Sequence, residues 1–228
     1  MLFDAGQAQP GEDVFLNSLA FDPMENDGSA GGMGGMMGGM GGMGGMGRGS
    51  SRLPLGAEFN VLKLPVTQGE RLAMTLPAKL SEIRTISAEG APERKIELSM
   101  ANMRFLINGR SFRMDEIAFE AKRGGVEIWS ISNPALGMPH PMHIHGFSFQ
   151  VVERLNSPPQ VSANARFGRG RTVSDLGWKD TVLVWPGETV KIAVDFTHDF
   201  IGSQTYLLHC HNLEHEDGGM MVNFRVNT

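Results

Sequence analysis

The only cysteine of the chain lies between two histidines. His209-Cys210-His211 is followed by His215 and Met220, so a thiol, three imidazoles and a thioether fall within twelve residues. Side chains of these types are metal ligands. The preceding run, Ser203-Gln204-Thr205-Tyr206-Leu207-Leu208, reads as a buried strand, and side chains on a strand alternate between its two faces. His209 and His211 then point one way and Cys210 the other. One strand would serve two metal sites, one on each side, joined through bonded atoms.

A second cluster supplies what the first lacks. In His140-Pro141-Met142-His143-Ile144-His145, His143 and His145 stand two residues apart and share a face if the chain is extended, with His140 just outside them. A thiolate with two imidazoles and a weak axial thioether is the ligand set of a blue-copper site, and Cys210, His140, His215 and Met220 make up such a set. His143, His145, His209 and His211 remain as an imidazole-only group suited to copper, zinc or iron. Structural zinc is the competing reading, but closed zinc sites usually take several cysteines and this chain has one. His198, the seventh histidine, lies outside both clusters.

The pattern H-x-x-H-x-H followed by H-C-H-x-x-x-H-x-x-x-x-M resembles the C-terminal copper signature of the multicopper oxidases, the family of laccases, copper-efflux oxidases, the spore-coat laccase and bilirubin oxidase. The resemblance covers the chain from about Arg94 to its end and extends more loosely upstream. It implies a type 1 copper on His140, Cys210, His215 and Met220, a type 2 copper on His143, and a type 3 pair on His145, His209 and His211. Single electrons from a phenolic, bilirubin-like or Cu(I) donor would enter at the type 1 copper, and O2 would be reduced to water at the trinuclear cluster. Glu216 looks like the proton-relay acid of the copper-efflux relatives; a solvated carboxylate is its plainer reading. Gly177-Trp178-Lys179-Asp180-Thr181 also recurs in those relatives, with Trp178 expected in the core and Asp180 expected behind a ligand histidine.

The chain departs from the family in one respect. The trinuclear cluster takes eight histidines, four of them from a first cupredoxin domain, and only four are supplied here. The resemblance therefore implies a missing N-terminal cupredoxin domain in cis or in trans, or a homo-oligomer in which two copies face each other. Two other readings stay open: a stand-alone blue-copper electron-transfer protein, and a copper-sequestering protein. Family members of full length are periplasmic or extracellular, whereas Met1 to Gln7 has neither the basic start nor the apolar stretch of a signal peptide.

The elements that must position these residues read as β throughout. Strand segments separated by turn residues fall at 94–100, 104–107, 117–121, 126–132, 143–152, 181–185, 189–196, 203–210 and 220–226. Val190, Ile192, Val194 and Phe196 alternate with more polar neighbours, and Asn108-Gly109, Gly124-Gly125 and Pro186-Gly187 mark turns. The expected fold is an all-β Greek-key sandwich or barrel, cupredoxin-like, over residues 94–228. Residues 153–177 are an insertion with a basic run, Arg166 to Arg171, expected as a solvated surface loop, with a substrate loop as the alternative. Residues 67–93 read as a connector. Residues 1–66, with strands at 13–21 and 57–66, resemble the tail of a preceding cupredoxin domain, interrupted by a flexible Met/Gly-rich loop at 29–50. Its methionines, Met33, Met36, Met37, Met40, Met43 and Met46, are candidate Cu(I) ligands, because thioethers favour that ion; a flexible linker is the plainer alternative.

Composition adds bounds. The chain has 228 residues, enough for one or two domains with a sizeable core. A formal net charge of −5 gives no sign of nucleic-acid binding. A single cysteine excludes an internal disulfide, and no apolar run reaches the roughly 18–20 residues that span a bilayer.

Overall fold

The computed structural model describes residues 8–24, 56–69, 75, 77–79, 81–102, 104–135 and 137–228. The described residues divide into two units, one formed by those up to 23 and from 56 to 82, the other by 24 and those from 83 to 228.

In the first unit, β1 (Asp13–Ser18) pairs antiparallel with β2 (Phe59–Pro65), with a bulge at Leu16/Asn17. Lys63 and Asp13 form an ion pair across the ribbon. All of β2 is exposed, and Phe15, Phe59, Val61, Leu62 and Leu64 show their apolar surface to solvent. An isolated two-stranded ribbon of this kind is marginal by itself, because neither face is covered.

The second unit holds ten strands: β3 (Glu93–Ala101), β4 (Arg104–Ile107), β5 (Ile117–Lys122), β6 (Val126–Ser132), β7 (His140–Ile144), β8 (Phe149–Leu155), β9 (Thr181–Val184), β10 (Thr189–Asp195), β11 (Gln204–Cys210) and β12 (Met221–Asn227). They form two five-stranded sheets, in the orders β4-β3-β6-β10-β8 and β5-β12-β11-β7-β9. The pairs β3/β6 and β5/β12 are parallel and the others antiparallel. This is the expected all-β, cupredoxin-like sandwich. The alternation read at 190–196 is real: Val190, Ile192, Val194 and Phe196 are fully buried, against Trp129, Phe149 and Phe224 from other strands. Trp129 stacks edge-on to Phe224 and donates its indole N–H to Glu127, so the largest core side chain leaves no polar atom unpaired.

Three expectations are corrected. The segment 143–152 is not one strand. Gly146, at φ +78°, turns the chain between β7 and β8, and a side chain there would run into the Tyr206 ring. Trp178 is 43% exposed rather than core; the residue after Gly177 at φ +82° faces outward before β9 begins. The insertion is more than a solvated loop. It contains a short helix, Pro159–Ser162, a hairpin closed at Ala165/Thr172, and a 3-10 turn, Val173–Asp175. Buried Arg154 pins it, with two hydrogen bonds to Asp175, one to the Leu183 carbonyl and an ion pair to fully buried Glu188. β8 and β9 are the edge strands of their sheets, and this network ties them together.

Candidate metal centres

Strands β7 and β11 lie side by side in the second sheet, with Leu208 opposite Ile144, His209 opposite His143 and Cys210 opposite Met142. Directly opposed residues point to the same side of a sheet. Met142 and Cys210 thus face the core together, while His143 and His209 face away together. His140, two residues before Met142, shares the core side; His145, two after His143, shares the other.

On the core side, the chain beyond Cys210 doubles back. His211 N–H donates to the Pro141 carbonyl, and Asn212 caps the short helix Leu213–Asp217 by accepting from Glu214 N–H. The helix carries His215 inward. Gly219, at φ +94°, turns the chain into β12; a Cβ there would strike Ser111. Main-chain bonds from Cys210 N–H to the Met220 carbonyl and from Met220 N–H to the His215 carbonyl close the loop. His140, Cys210, His215 and Met220 are all at most 4% exposed. The Nδ1 atoms of His140 and His215 lie 3.0 Å apart, and Cys210 Sγ is 3.7 Å and 3.5 Å from them.

This geometry fits a bound ion. Bonds of about 2.0 Å to nitrogen and about 2.3 Å to sulfur put neighbouring donors roughly 3.3–3.8 Å apart. Both sulfur separations fall in that range, and the nitrogen pair needs to part by only a few tenths of an ångström. Burial, then His215, push His140 down to about 3, and burial also holds His215 below its usual value. Burial pushes the Cys210 thiol up to about 11. Three neutral donors turned towards one another away from water can share at most one N–H; a cation at their centre satisfies all three and stabilises the thiolate. The Phe105 ring covers His215 at 4.1 Å between centroids, and the Asn212 N–H points at Cys210 Sγ, 3.5 Å away.

On the outer side, His143, His145 and His209 bring donor atoms within 4.8 Å of one another. His145 Nε2 and His209 Nε2 are 3.0 Å apart, and the His211 ring lies 5.0–5.3 Å from those of His209 and His143. His145 and His211 are exposed. His209 Nδ1–H donates to the Cys210 carbonyl at 3.0 Å, with Glu216 Oε2 at 3.5 Å from the same nitrogen. Burial is the main cause that lowers the pKa values of His145 and His209, and the neighbouring imidazoles add to it.

All eight ligand residues read from the sequence thus gather at two places, and Glu216 stands beside the second. His198 is elsewhere, among Phe147, Phe200 and Tyr206, with neither ring nitrogen hydrogen-bonded. Met33, Met36, Met37, Met40, Met43 and Met46 lie outside the described residues. Asp180 does stand behind a histidine, but its carbonyl oxygen does the work, 2.9 Å from His143 Nδ1, and the Thr181 hydroxyl lies 3.0 Å from the same atom. Asn133 has no signal in the sequence. Its amide donates to the carbonyls of Met138 and Val184, pinning the segment that leads into His140.

The family model described as multicopper oxidase matches residues 76–228. A multicopper oxidase of Staphylococcus haemolyticus is 32% identical over 73% of this chain and 36% of its own length. A laccase of Bacillus subtilis is 34% identical over 63% of the chain and 27% of its own length. The crystal structure of a multicopper oxidase from the hyperthermophile Aquifex aeolicus superposes with a TM-score of 0.73 at 36% identity, covering 97% of this chain and 42% of that one. The chain spans about a third of the length of the curated relatives it matches.

Proposed function

Because the chain belongs to the multicopper oxidase family, we propose that it is the C-terminal part of a laccase-like oxidase that couples one-electron oxidation of phenolic or Cu(I) donors to reduction of O2 to water. Residues 94–228 are its last cupredoxin domain, 67–93 a connector and 1–66 the tail of the preceding domain, whose full-length form works in the periplasm or outside the cell. Copper, when bound, supplies the one-electron couple on the core side and the place of oxygen reduction on the outer side.

The chain's own residues do the rest. Cys210, His140, His215 and Met220 hold the type 1 ion away from water. His143 is the type 2 ligand; His145, His209 and His211 are type 3 ligands. Cys210 connects the two sides twice: through the main chain to His209 and His211, and through its carbonyl, which accepts from the His209 ring. Glu216, beside His209, is the proton-relay acid of the cluster. The remaining four imidazoles come from a missing N-terminal cupredoxin domain in cis or in trans, or from a second copy of this chain.

One observation carries this reading. Two candidate ligand sets sit on opposite faces of one strand pair, and Cys210, between His209 and His211, is the shortest bonded link between them. The test is absorption and metal content of the copper-loaded chain, with oxygen uptake on a phenolic donor measured in the full-length polypeptide. An intense copper–thiolate band with at least one copper per chain is expected; a colourless protein overturns the reading. The completeness of the core-side pocket within this chain also favours a second reading, a stand-alone blue-copper electron carrier. That reading requires the band without oxygen uptake. A copper-sequestering role for the methionine tract requires Cu(I) binding that disappears when residues 31–47 are deleted.

A further inference from the structure

We propose that Thr181 is a positioning residue, which with the Asp180 carbonyl fixes the ring of His143 so that Nε2 is its metal-binding atom. The inference rests on His143 being a ligand, as proposed above.

Elementary hydrogen-bond chemistry sets the tautomer. Two oxygens lie within bonding distance of His143 Nδ1: the Asp180 carbonyl at 2.9 Å and the Thr181 hydroxyl at 3.0 Å. A carbonyl only accepts. Were Nδ1 to carry a lone pair, it would face the carbonyl lone pairs at 2.9 Å with nothing between them. Nδ1 therefore carries the proton, both oxygens accept it in a three-centre bond, and Nε2 is left with the lone pair that a metal needs.

Strand pairing explains why the hydroxyl belongs at this position. β9 is the edge strand next to β7, with Thr181 directly opposite His143. The two side chains share one face at the short cross-strand spacing. The Asp180 carbonyl is already occupied by the Ile144 N–H at 3.0 Å. It must divide itself between the sheet ladder and the ring, so the hydroxyl is the only acceptor devoted to His143. The Nδ1 of His209 likewise donates to a main-chain carbonyl, that of Cys210 at 3.0 Å, with Glu216 Oε2 3.5 Å away.

The test uses the whole chain in its metal-free form, then titrated with Zn2+ alone, which three imidazoles can bind. Long-range proton–nitrogen NMR of histidine-labelled protein reads the tautomer and the Nδ1 proton shift of His143, quantities that a merely structural role would not move. Wild type, Thr181→Ser and Thr181→Val should all show Nδ1–H, because the Asp180 carbonyl only accepts. Thr181→Val, nearly isosteric and equally suited to a strand, removes one of the two acceptors; its Nδ1 proton should move upfield and Zn2+ should bind at the cluster about tenfold more weakly, the lower end of the usual loss for a ligand's hydrogen-bond partner. An unchanged proton shift or an affinity within twofold in Thr181→Val overturns the proposal, as does an Nε2–H tautomer in wild type. His143→Ala separates this failure from failure of the site itself. If that variant keeps full Zn2+ affinity, His143 is not a ligand; if it loses affinity while Thr181→Val does not, only the positioning role falls.

Discussion

The two faces of the β7/β11 pair carry similar donors in opposite surroundings. On the core side, the ligand residues are at most 4% exposed, and one loop, residues 210–220, closes over them with Phe105 as a lid. On the outer side, His145 and His211 are exposed and His143 is half-buried. In the first pocket a thiol and two imidazoles converge within 3.7 Å beside buried Met220, and burial keeps them neutral until a cation arrives. The second has its ring orientations set by Asp180, Thr181 and the Cys210 carbonyl, yet leaves His145 and His211 exposed. Closure makes a site self-sufficient, and an open, pre-oriented half-site is what a partner can complete.

The strongest way to break this contrast is Cys210→Ser. The copper–thiolate band should vanish completely, because no other sulfur in the chain is a thiol. The outer cluster should keep its metal, since none of its imidazoles comes from residue 210. Loss of metal from both faces, measured as stoichiometry, would mean that the two sites fold as one and that the contrast is false.

A second large effect asks whether both pockets depend on one scaffold. β9 pairs with β7 along its length, with Val184 opposite His140 and Thr181 opposite His143. Its far end is held by the buried Arg154–Asp175–Glu188 network. Burial opposes the charge on Asp175, but hydrogen bonds from Arg154 and Thr172 overcome it and hold the carboxyl below its ordinary value. A carboxyl lowered in the folded state contributes stability above its unfolded pKa, and that contribution fades as pH falls through the folded value. Denaturant unfolding of the metal-free wild type should therefore lose stability as pH drops below about 4. Asp175→Asn should cost about 3 kcal/mol at neutral pH by leaving Arg154 short of a buried partner, and should flatten that acid dependence. A steep acid loss that persists in the variant would assign it to other groups.

Much of this was legible in the residues, for reasons that differ by place. The two-sidedness of His209-Cys210-His211 follows from strand alternation alone. The same parity separates His140 from His143 and His145, so side assignment needed no coordinates. The apolar alternation at 190–196 marked a core strand for the same reason. Illegible features were those whose partners are distant or belong to the main chain. Asn133 reaches Val184 across 51 positions, and the oxygen that orients His143 is the carbonyl of Asp180, not its carboxylate. Arg154 looked like part of a loop's edge, because nothing local signals that Asp175 and Glu188 converge on it. Gly146 went unread because it stands singly, with no proline, asparagine or second glycine beside it to mark the turn.

Chelator competition sharpens the contrast at smaller scale. With both faces loaded, the outer ion should leave first, at a chelator concentration at least about tenfold lower, a difference of ~1.4 kcal/mol. Two of its imidazoles, His145 and His211, are exposed and no thiolate holds the charge. Following the copper–thiolate band and total metal content together distinguishes the two releases; simultaneous loss would show that closure confers no advantage.

The finest test lies inside the closed pocket. Met220 is 1% exposed and tied by main-chain bonds to both Cys210 and His215. Met220→Leu nearly conserves volume, so the fold should lose less than about 1.5 kcal/mol. A thioether in the axial position is a weak ligand that tunes potential more than it holds the ion. The variant should keep its copper–thiolate band, and its reduction potential should rise, because the oxidised ion loses a donor that the trigonal set does not replace. Disappearance of the band would make Met220 an essential ligand. An unmoved potential would remove it from the ligand set and leave a three-donor pocket closed by packing alone.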